Sequence, residues 1–338
     1  MSRIRVQRMP AITILTEPQL RELVPLDADA VTCIENAFHA LATQPVVMPP
    51  IMGFEIREYN GEVDVKTAYV PGLEHFAIKM SPGFFDNPKL GLPSLNGLMV
   101  VFESRTGVVS AVLLDNGYLT DARTAAAGAV AAKHLARDDA KSVAVLGGGG
   151  QARSQLEALL LVRPIESASL WTRDPDKATE VAADLTDRLK IDVTPQADVA
   201  QAIKGADIVV STTPSETPLI TADMLAPGQH VTAMGSDADY KRELAGDVLS
   251  RADLYVADSL NQTRIRGELR GAIADGVVSA DASYPELGAL IAGQFEGRTS
   301  PEQITVADLT GTGVQDTAIA TLAIARAKGA NAGSVIES

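Results

Sequence analysis

Apolar residues recur along this chain with two different periods. Over 27–41, Val31, Ile34, Phe38 and Leu41 are spaced three and four apart, the one-sided stripe of a helix with a buried face. Ahead of it, 12–15 is a short apolar strand. Thr16, Pro18 and Gln19 then mark a helix start, with a hydroxyl cap, a proline in the first turn and a glutamine three residues after the cap. Met48-Pro49-Pro50 ends the helical stretch and opens a run of strands. Strands are expected over 63–70 and 76–80, Asn96-Gly97 is a turn signal, and 98–103 and 108–114 read as a hairpin closed at Ser104-Arg105-Thr106-Gly107. An alanine-rich helix is expected over 121–136.

From Lys141 onward the pattern changes. Short apolar runs at 143–146, 169–171, 208–210 and 254–256 are separated by helical stretches. That alternation predicts βαβ units and a parallel sheet. A last helix is expected over 316–327, after Thr310-Gly311-Thr312-Gly313.

The chain's 338 residues suffice for two domains. A formal charge of −14 at pH 7 opposes a nucleic-acid partner, whose phosphates require a basic surface. The leading MSRIRVQRMP is basic but is not followed by the apolar core of a secretory signal. No apolar run approaches the ~20 residues of a membrane span, so no membrane partner and a cytoplasmic location are expected. The single cysteine, Cys33, lies in the apolar helical stretch, which predicts a buried small hydrophobe. His39, His75, His134 and His230 lack ligand spacing, and no metal is expected.

The most informative segment is VAVLGGGGQA. It sets Gly147, Gly149 and Ala152 in a GxGxxA pattern directly after a four-residue apolar strand. Gly147 permits a tight turn, Gly149 lets the backbone approach a pyrophosphate, Ala152 lets the helix pack on the strand, and the helix N-terminus favours the anion. A dinucleotide cofactor, NAD(P)H, is therefore expected here. Its adenosine end meets the second strand at Trp171-Thr172-Arg173-Asp174. Thr172 stands where an acid would take the ribose hydroxyls, and Arg173 follows, which favours a 2′-phosphate and NADP. Asp174, one step on, would serve NAD, or would simply cap the next helix.

FAIKMSPG, LTDARTAAAGAVAAKHLA, VAVLGGGGQA, ADIVVSTTPSETP, AMGSDADYKREL and TGTGVQD together resemble the ornithine cyclodeaminase/mu-crystallin family, in the family's order and over most of the chain. EVDVKTAYVPG and FFDNPKLGLPSLNG are most similar to its ectoine-utilisation EutC type, a subgroup that also resembles iminosuccinate reductases. The resemblance implies an α/β fold in which a Rossmann dinucleotide-binding domain, 124–312, is inserted into an α+β substrate-binding and dimerisation domain, 1–123 plus 313–338. It also implies a homodimer.

Roles follow from the same resemblance. Lys79 matches the active-site lysine beside the substrate carboxylate, and Arg123 the arginine that binds that carboxylate. Thr124 lies near the cofactor phosphates. Asp237 matches the acid/base serving the substrate nitrogen. Gln151, Thr213, Gly235 and Ser236 fall in cofactor-lining segments. Relatives carry an arginine shortly after the proline motif that here reads 48–53; this chain has none there, and Arg57 is the nearest candidate for that substrate contact.

The residue types suit reduction of an α-imino acid. A guanidinium fixes the carboxylate bidentately, an ammonium adds charge, and a carboxyl group manages the proton on nitrogen. Lys66 bears on the substrate: pointing inward, it favours a second carboxylate, as in iminosuccinate. Asp64 shares its strand face, so the two could pair, or Asp64 could hold the distal amine of an ornithine-like substrate. The leading expectation is NAD(P)H-dependent reduction of an iminosuccinate-like or related ketimine to an amino acid, in ectoine degradation. The alternatives are a cyclodeaminase that uses NAD catalytically and a non-catalytic binder of the mu-crystallin kind.

Overall fold

The strands of the early chain gather into one sheet. In the computed structural model, which describes residues 11–337, these are β1 (Ala11–Thr16), β2 (Met52–Ile56), β3 (Gly61–Ala68), β4 (His75–Phe84), β5 (Leu98–Glu103), β6 (Val109–Leu114) and, from the far end of the chain, β14 (Ser334–Glu337). The basic leader at 1–10 lies outside the described residues. The sheet order is β14-β1-β6-β5-β4-β3-β2. β1 runs parallel to β6, and every other neighbouring pair is antiparallel. The described residues of this sheet unit are 11–25, 44–120 and 313–337.

The helix Gly313–Ala330 packs on β3, β4 and β5. Thr317 bolts it down: its hydroxyl accepts the Ala77 amide at 3.1 Å and donates to the Ala68 carbonyl at 2.8 Å. Gly313 allows the close approach, because a Cβ there would lie 2.2 Å from the Thr67 carbonyl oxygen. Pairing in register puts Ala68, Ala77, Val101 and Ala111 on one buried face of the sheet, with Met99 and Leu113 in the next row. The opposite face carries Val65, Ile78, Met80, Val100 and Val112, all only partly buried. At the entry to the first helix, Gln19 Oε1 accepts the Thr16 amide at 3.0 Å, the expected capping box.

The second unit comprises 26–43 and 121–312. Its strands are β7 (Ser142–Leu146), β8 (Ser167–Trp171), β9 (Asp192–Pro195), β10 (Ile208–Ser211), β11 (His230–Ala233), β12 (Leu254–Ala257) and β13 (Thr305–Asp308). All pair in parallel, in the order β12-β13-β11-β10-β7-β8-β9. The central strands β7, β10 and β11 are buried along their length apart from Ser142, as a parallel sheet covered on both faces requires. The winding reverses between β7 and β10, and that switch point is where such sheets bind ligands, beyond the carboxyl ends of the strands. The fold is thus α/β, a Rossmann unit inserted between the segments of an α+β sheet unit.

Two features depart from the sequence expectation. The helix Ala28–Thr43 groups with the nucleotide unit, because it packs on the helix Leu287–Ile291, where Gly288 leaves no room for a Cβ against the Phe38 carbonyl. Cys33 on that helix is only partly buried, since Val31, Ile34 and Phe38 occupy the inward stripe.

Candidate functional site

The glycine turn leaves β7 and enters the helix Gly150–Leu159 with Gly149 as its N-cap. Gly147 has φ +131°, and a Cβ there would meet Thr212 Oγ1 at 2.5 Å, so both conformation and space demand glycine. Nothing lies within 4 Å of the position a Gly149 Cβ would take, which leaves room for a pyrophosphate against bare backbone. Ala152 is fully buried behind the turn. Arg153, which sequence reasoning passed over, braces it by donating to the Gly148 carbonyl at 3.0 Å. The helix N-terminus completes a cradle that fits a dinucleotide phosphate.

At the end of β8, the Thr172 hydroxyl donates to the Asp174 carbonyl at 2.5 Å, and its side chain is buried. Asp174 caps the helix Pro175–Leu189, its Oδ1 accepting the amides of Asp176 and Lys177. Arg173 between them is exposed.

On the helix Tyr118–Leu135, Arg123 is 4% exposed. Its guanidinium lies against Gly311, where a Cβ would come within 2.7 Å of Nη1. It is not a surface charge. Gln151 donates to Asp121 Oδ1 at 2.8 Å, and Gln155 donates to the Thr124 carbonyl at 3.0 Å, tying the glycine-turn helix to the helix that carries Arg123. Asp237 sits in the loop after β11, with its side chain 46% exposed and 2.7 Å from Lys241 Nζ. No helix follows it directly, so it is not a helix cap.

Beneath these loops lies a set of buried carboxylates that sequence reasoning missed. Glu243 ties together Thr213 after β10 and Gly235 after β11. Burial pushes its carboxyl up while the surrounding donors pull it down. Glu268 accepts the amides of Glu243 and Leu244. Asp308 accepts the amides of Glu268 and Leu269 and the Tyr255 hydroxyl. Burial raises both Glu268 and Asp308; repulsion from Asp308 and Glu243 adds to the rise at Glu268, and repulsion from Asp258 adds to it at Asp308. Asp258 accepts the amides of Thr310 and Gly311 at 2.8 and 2.7 Å, and burial raises it to about 6. The one signal available in the sequence was that Asp258 directly follows a short apolar strand.

In the sheet unit, Lys66 on β3 pairs directly with Lys79 on β4. Both lie on the inward face, in line with Met99 and Leu113, and are 6% and 2% exposed. Two ammonium groups thus stand on the face where the pattern calls for apolar side chains. Asp316, from the helix Gly313–Ala330, lies 3.4 Å from Lys79 Nζ and is wholly buried. Asp64 lies 3.7 Å from Lys66 Nζ. Asp115 is buried nearby, its carboxyl raised by burial against the pull of its backbone partners and of Lys79. Arg57 stands apart, with its side chain 87% exposed and ion-paired with Glu55 at 2.5 Å. Its geometry gives no support to a substrate contact.

Among the described residues no helix is long and apolar enough to cross a membrane, and no group of three or more His, Cys, Asp or Glu side chains is arranged to hold a metal.

A sequence profile of the ornithine cyclodeaminase/mu-crystallin family matches residues 12–331. The chain belongs to this family. A Rhizobium meliloti protein provisionally named a dehydrogenase is 62% identical over 330 residues, 98% of this chain and 100% of that one. Among solved structures, Δ1-pyrroline-2-carboxylate reductase of Thermococcus litoralis, in complex with NADH and L-proline, superposes with a TM-score of 0.91 at 27% identity, covering 96% of this chain and 100% of the other. The iminosuccinate reductase of Paracoccus denitrificans, in complex with NAD+, superposes with a TM-score of 0.88 at 29% identity, covering 97% and 100%. The resemblance drawn from the sequence motifs is borne out at the level of family and fold.

Proposed function

We propose that this chain is a nicotinamide-dependent oxidoreductase that reduces an α-imino acid to the amino acid, with a dicarboxylic ketimine such as iminosuccinate as its substrate. The general reaction is supported by the pyrroline-carboxylate and iminosuccinate reductases to which the chain is similar. The preference for a second carboxylate rests on one observation: Lys66 and Lys79 face each other across β3 and β4 on the inward side of the sheet. Two ammonium groups on one inward face offer charge-assisted donors to a second carboxylate, beside their contacts with Asp64 and Asp316.

The glycine turn, Thr124, Gln151, Thr213, Gly235 and Ser236 hold the dinucleotide in this reading. When bound, the reduced nicotinamide supplies hydride to the imine carbon. The family resemblance assigns Arg123 to the α-carboxylate, which a guanidinium clamps with two parallel hydrogen bonds, and gives Lys79 a cationic role toward the substrate. Lys66 takes the distal carboxylate. Asp237, held by Lys241, manages the proton of the substrate nitrogen. Asp174 spends an oxygen on capping its helix while Arg173 stays exposed, an arrangement that accommodates a 2′-phosphate, so NADPH is accepted beside NADH. The partly exposed apolar face of Val65, Ile78, Met80 and Val100 suits pairing with a second copy of the sheet unit, giving a homodimer. The resemblance to the ectoine-utilisation type leads us to place the enzyme in ectoine breakdown.

The deciding assay follows the near-ultraviolet absorbance of reduced nucleotide with oxaloacetate plus ammonium, against pyruvate plus ammonium. Oxaloacetate should be preferred, and Lys66→Met should erase that preference while sparing the pyruvate reaction. A second reading, a cyclodeaminase, is favoured by Asp64 beside Lys66, since that carboxylate suits a distal amine. Release of ammonia from ornithine with no net change in nucleotide would establish it instead. Silence in both assays would sink both readings.

A further inference from the structure

We propose that Glu243 is a positioning residue that holds the two nucleotide-facing loops after β10 and β11 in their cofactor-binding shape, dividing its two oxygens between them. Oε1 accepts the Thr213 amide at 2.6 Å and the Thr213 hydroxyl at 2.8 Å. Oε2 accepts the Gly235 amide at 2.7 Å and the Ser211 hydroxyl at 2.8 Å. One oxygen therefore serves the β10 loop. The other joins the end of β10 to the β11 loop.

Each oxygen faces a backbone amide, and an amide can only donate. A carboxylate is the one side chain of this length that offers acceptors at both ends. Glutamine would turn an NH2 toward one of the two loops and leave that loop's amide without its partner. The clamp is built tightly. Glu243 is fully buried, and its own amide and that of Leu244 are held by Glu268 at 2.9 Å each. Gly235 approaches so closely that a Cβ would come within 2.0 Å of the Thr213 carbonyl oxygen and 2.6 Å of Glu243 Cδ. The two loops and the carboxylate thus interlock, and neither loop can shift without opening a hydrogen bond in a site closed to water.

The inference rests on the proposed cofactor role of Thr213, Gly235 and Ser236. It adds that their shape is imposed from beneath, by a group that itself need not touch the nucleotide. A released loop must be re-formed each time cofactor binds, so the lost clamp appears as weakened cofactor affinity.

The test compares wild type, Glu243→Gln and Ser211→Ala by NADH titration, initial rates and thermal unfolding. Glu243→Gln should raise the Kd and KM for NADH roughly tenfold, the scale of one unsatisfied buried amide, with kcat at saturating NADH within about threefold of wild type. Ser211→Ala, which leaves both amides clamped, should stay close to wild type in NADH affinity. Equal NADH affinity in wild type and a folded Glu243→Gln would overturn the inference, as would equal losses in both variants or a fall in kcat with unchanged KM. If Glu243→Gln does not fold, a Ser211→Ala variant with tenfold weaker NADH binding would also overturn it, and one with wild-type affinity would support it. Wild type that binds no NADH would instead refute the proposed function.

Discussion

Replacing Lys79 with methionine should destabilise the sheet unit far more than deletion of a surface charge would. Lys79 Nζ lies 3.4 Å from Asp316 Oδ2, with both side chains almost wholly buried. At an effective dielectric constant of ~20, Coulomb attraction at that separation is roughly 5 kcal/mol. Desolvation of two ions offsets most of this in the intact pair. Removing one partner leaves the other's cost uncompensated, and such losses run to about 3–5 kcal/mol. Asp115 loses the same cation, so its carboxyl shifts further up. Lys79→Met should therefore lose ~3 kcal/mol, and adding Asp316→Asn should recover at least about half, because the stranded charge is gone. In urea titrations followed by far-ultraviolet circular dichroism, the unfolding midpoint should fall for Lys79→Met. Turnover should be absent in both variants, which separates the electrostatic role of Lys79 from its proposed catalytic one. An unchanged dichroism midpoint for Lys79→Met, or further loss on adding Asp316→Asn, would refute the reasoning.

Asp237→Ala should lower kcat by at least ~100-fold, the scale of lost general acid–base catalysis, with NADH affinity in direct titration nearly unchanged; parallel losses of both would mean that the loop had collapsed. His230, wholly buried between the hydroxyls of Thr305 and Thr232, is depressed to about 3, chiefly by burial. The unfolded chain takes up that proton near pH 6.5 and the folded chain does not, so the contribution to stability is complete above pH 6.5 and is lost on acidification toward pH 3. Between pH 7.5 and 5, wild type should lose about 2 kcal/mol more than His230→Gln in urea unfolding followed by Trp171 fluorescence, and identical pH slopes would contradict the assignment. Arg173→Ala should raise the KM for NADPH several-fold and leave that for NADH alone; equal effects on both would remove Arg173 from phosphate recognition.

What the sequence disclosed follows from the strength of local patterns. β7 and its glycine turn were legible because a four-residue apolar run abuts a motif whose glycines are dictated by backbone geometry. β5 and β6 were legible as a hairpin for a similar reason. β13 was not, since Thr305–Asp308 is only four residues long and ends on a buried acid, which reads as a loop. β14 is exposed along its length, so it carries no hydrophobic period. Lys79, Arg123 and Asp237 could be named from resemblance to a family. Asp316, Glu243 and Asp258 could not, because Asp316 pairs with Lys79 and the other two accept hydrogen bonds, in each case with residues remote in sequence. Even the pairing of Lys66 with Lys79 needed the strand register, which spacing alone leaves open.

The sheet unit has a consequence for the order of assembly. β1 pairs with β14 from the far end of the chain, and the helix supplying Asp316 and Thr317 follows the whole nucleotide unit. A ribosome therefore releases a nearly complete Rossmann unit before the sheet has either its edge strand or its covering helix. Until then the apolar rows of β3 to β5 have no lid, and such nascent surfaces are where aggregation begins. Early termination after residue 312 should leave a chain that keeps a nucleotide fold yet depends on chaperones to stay in solution.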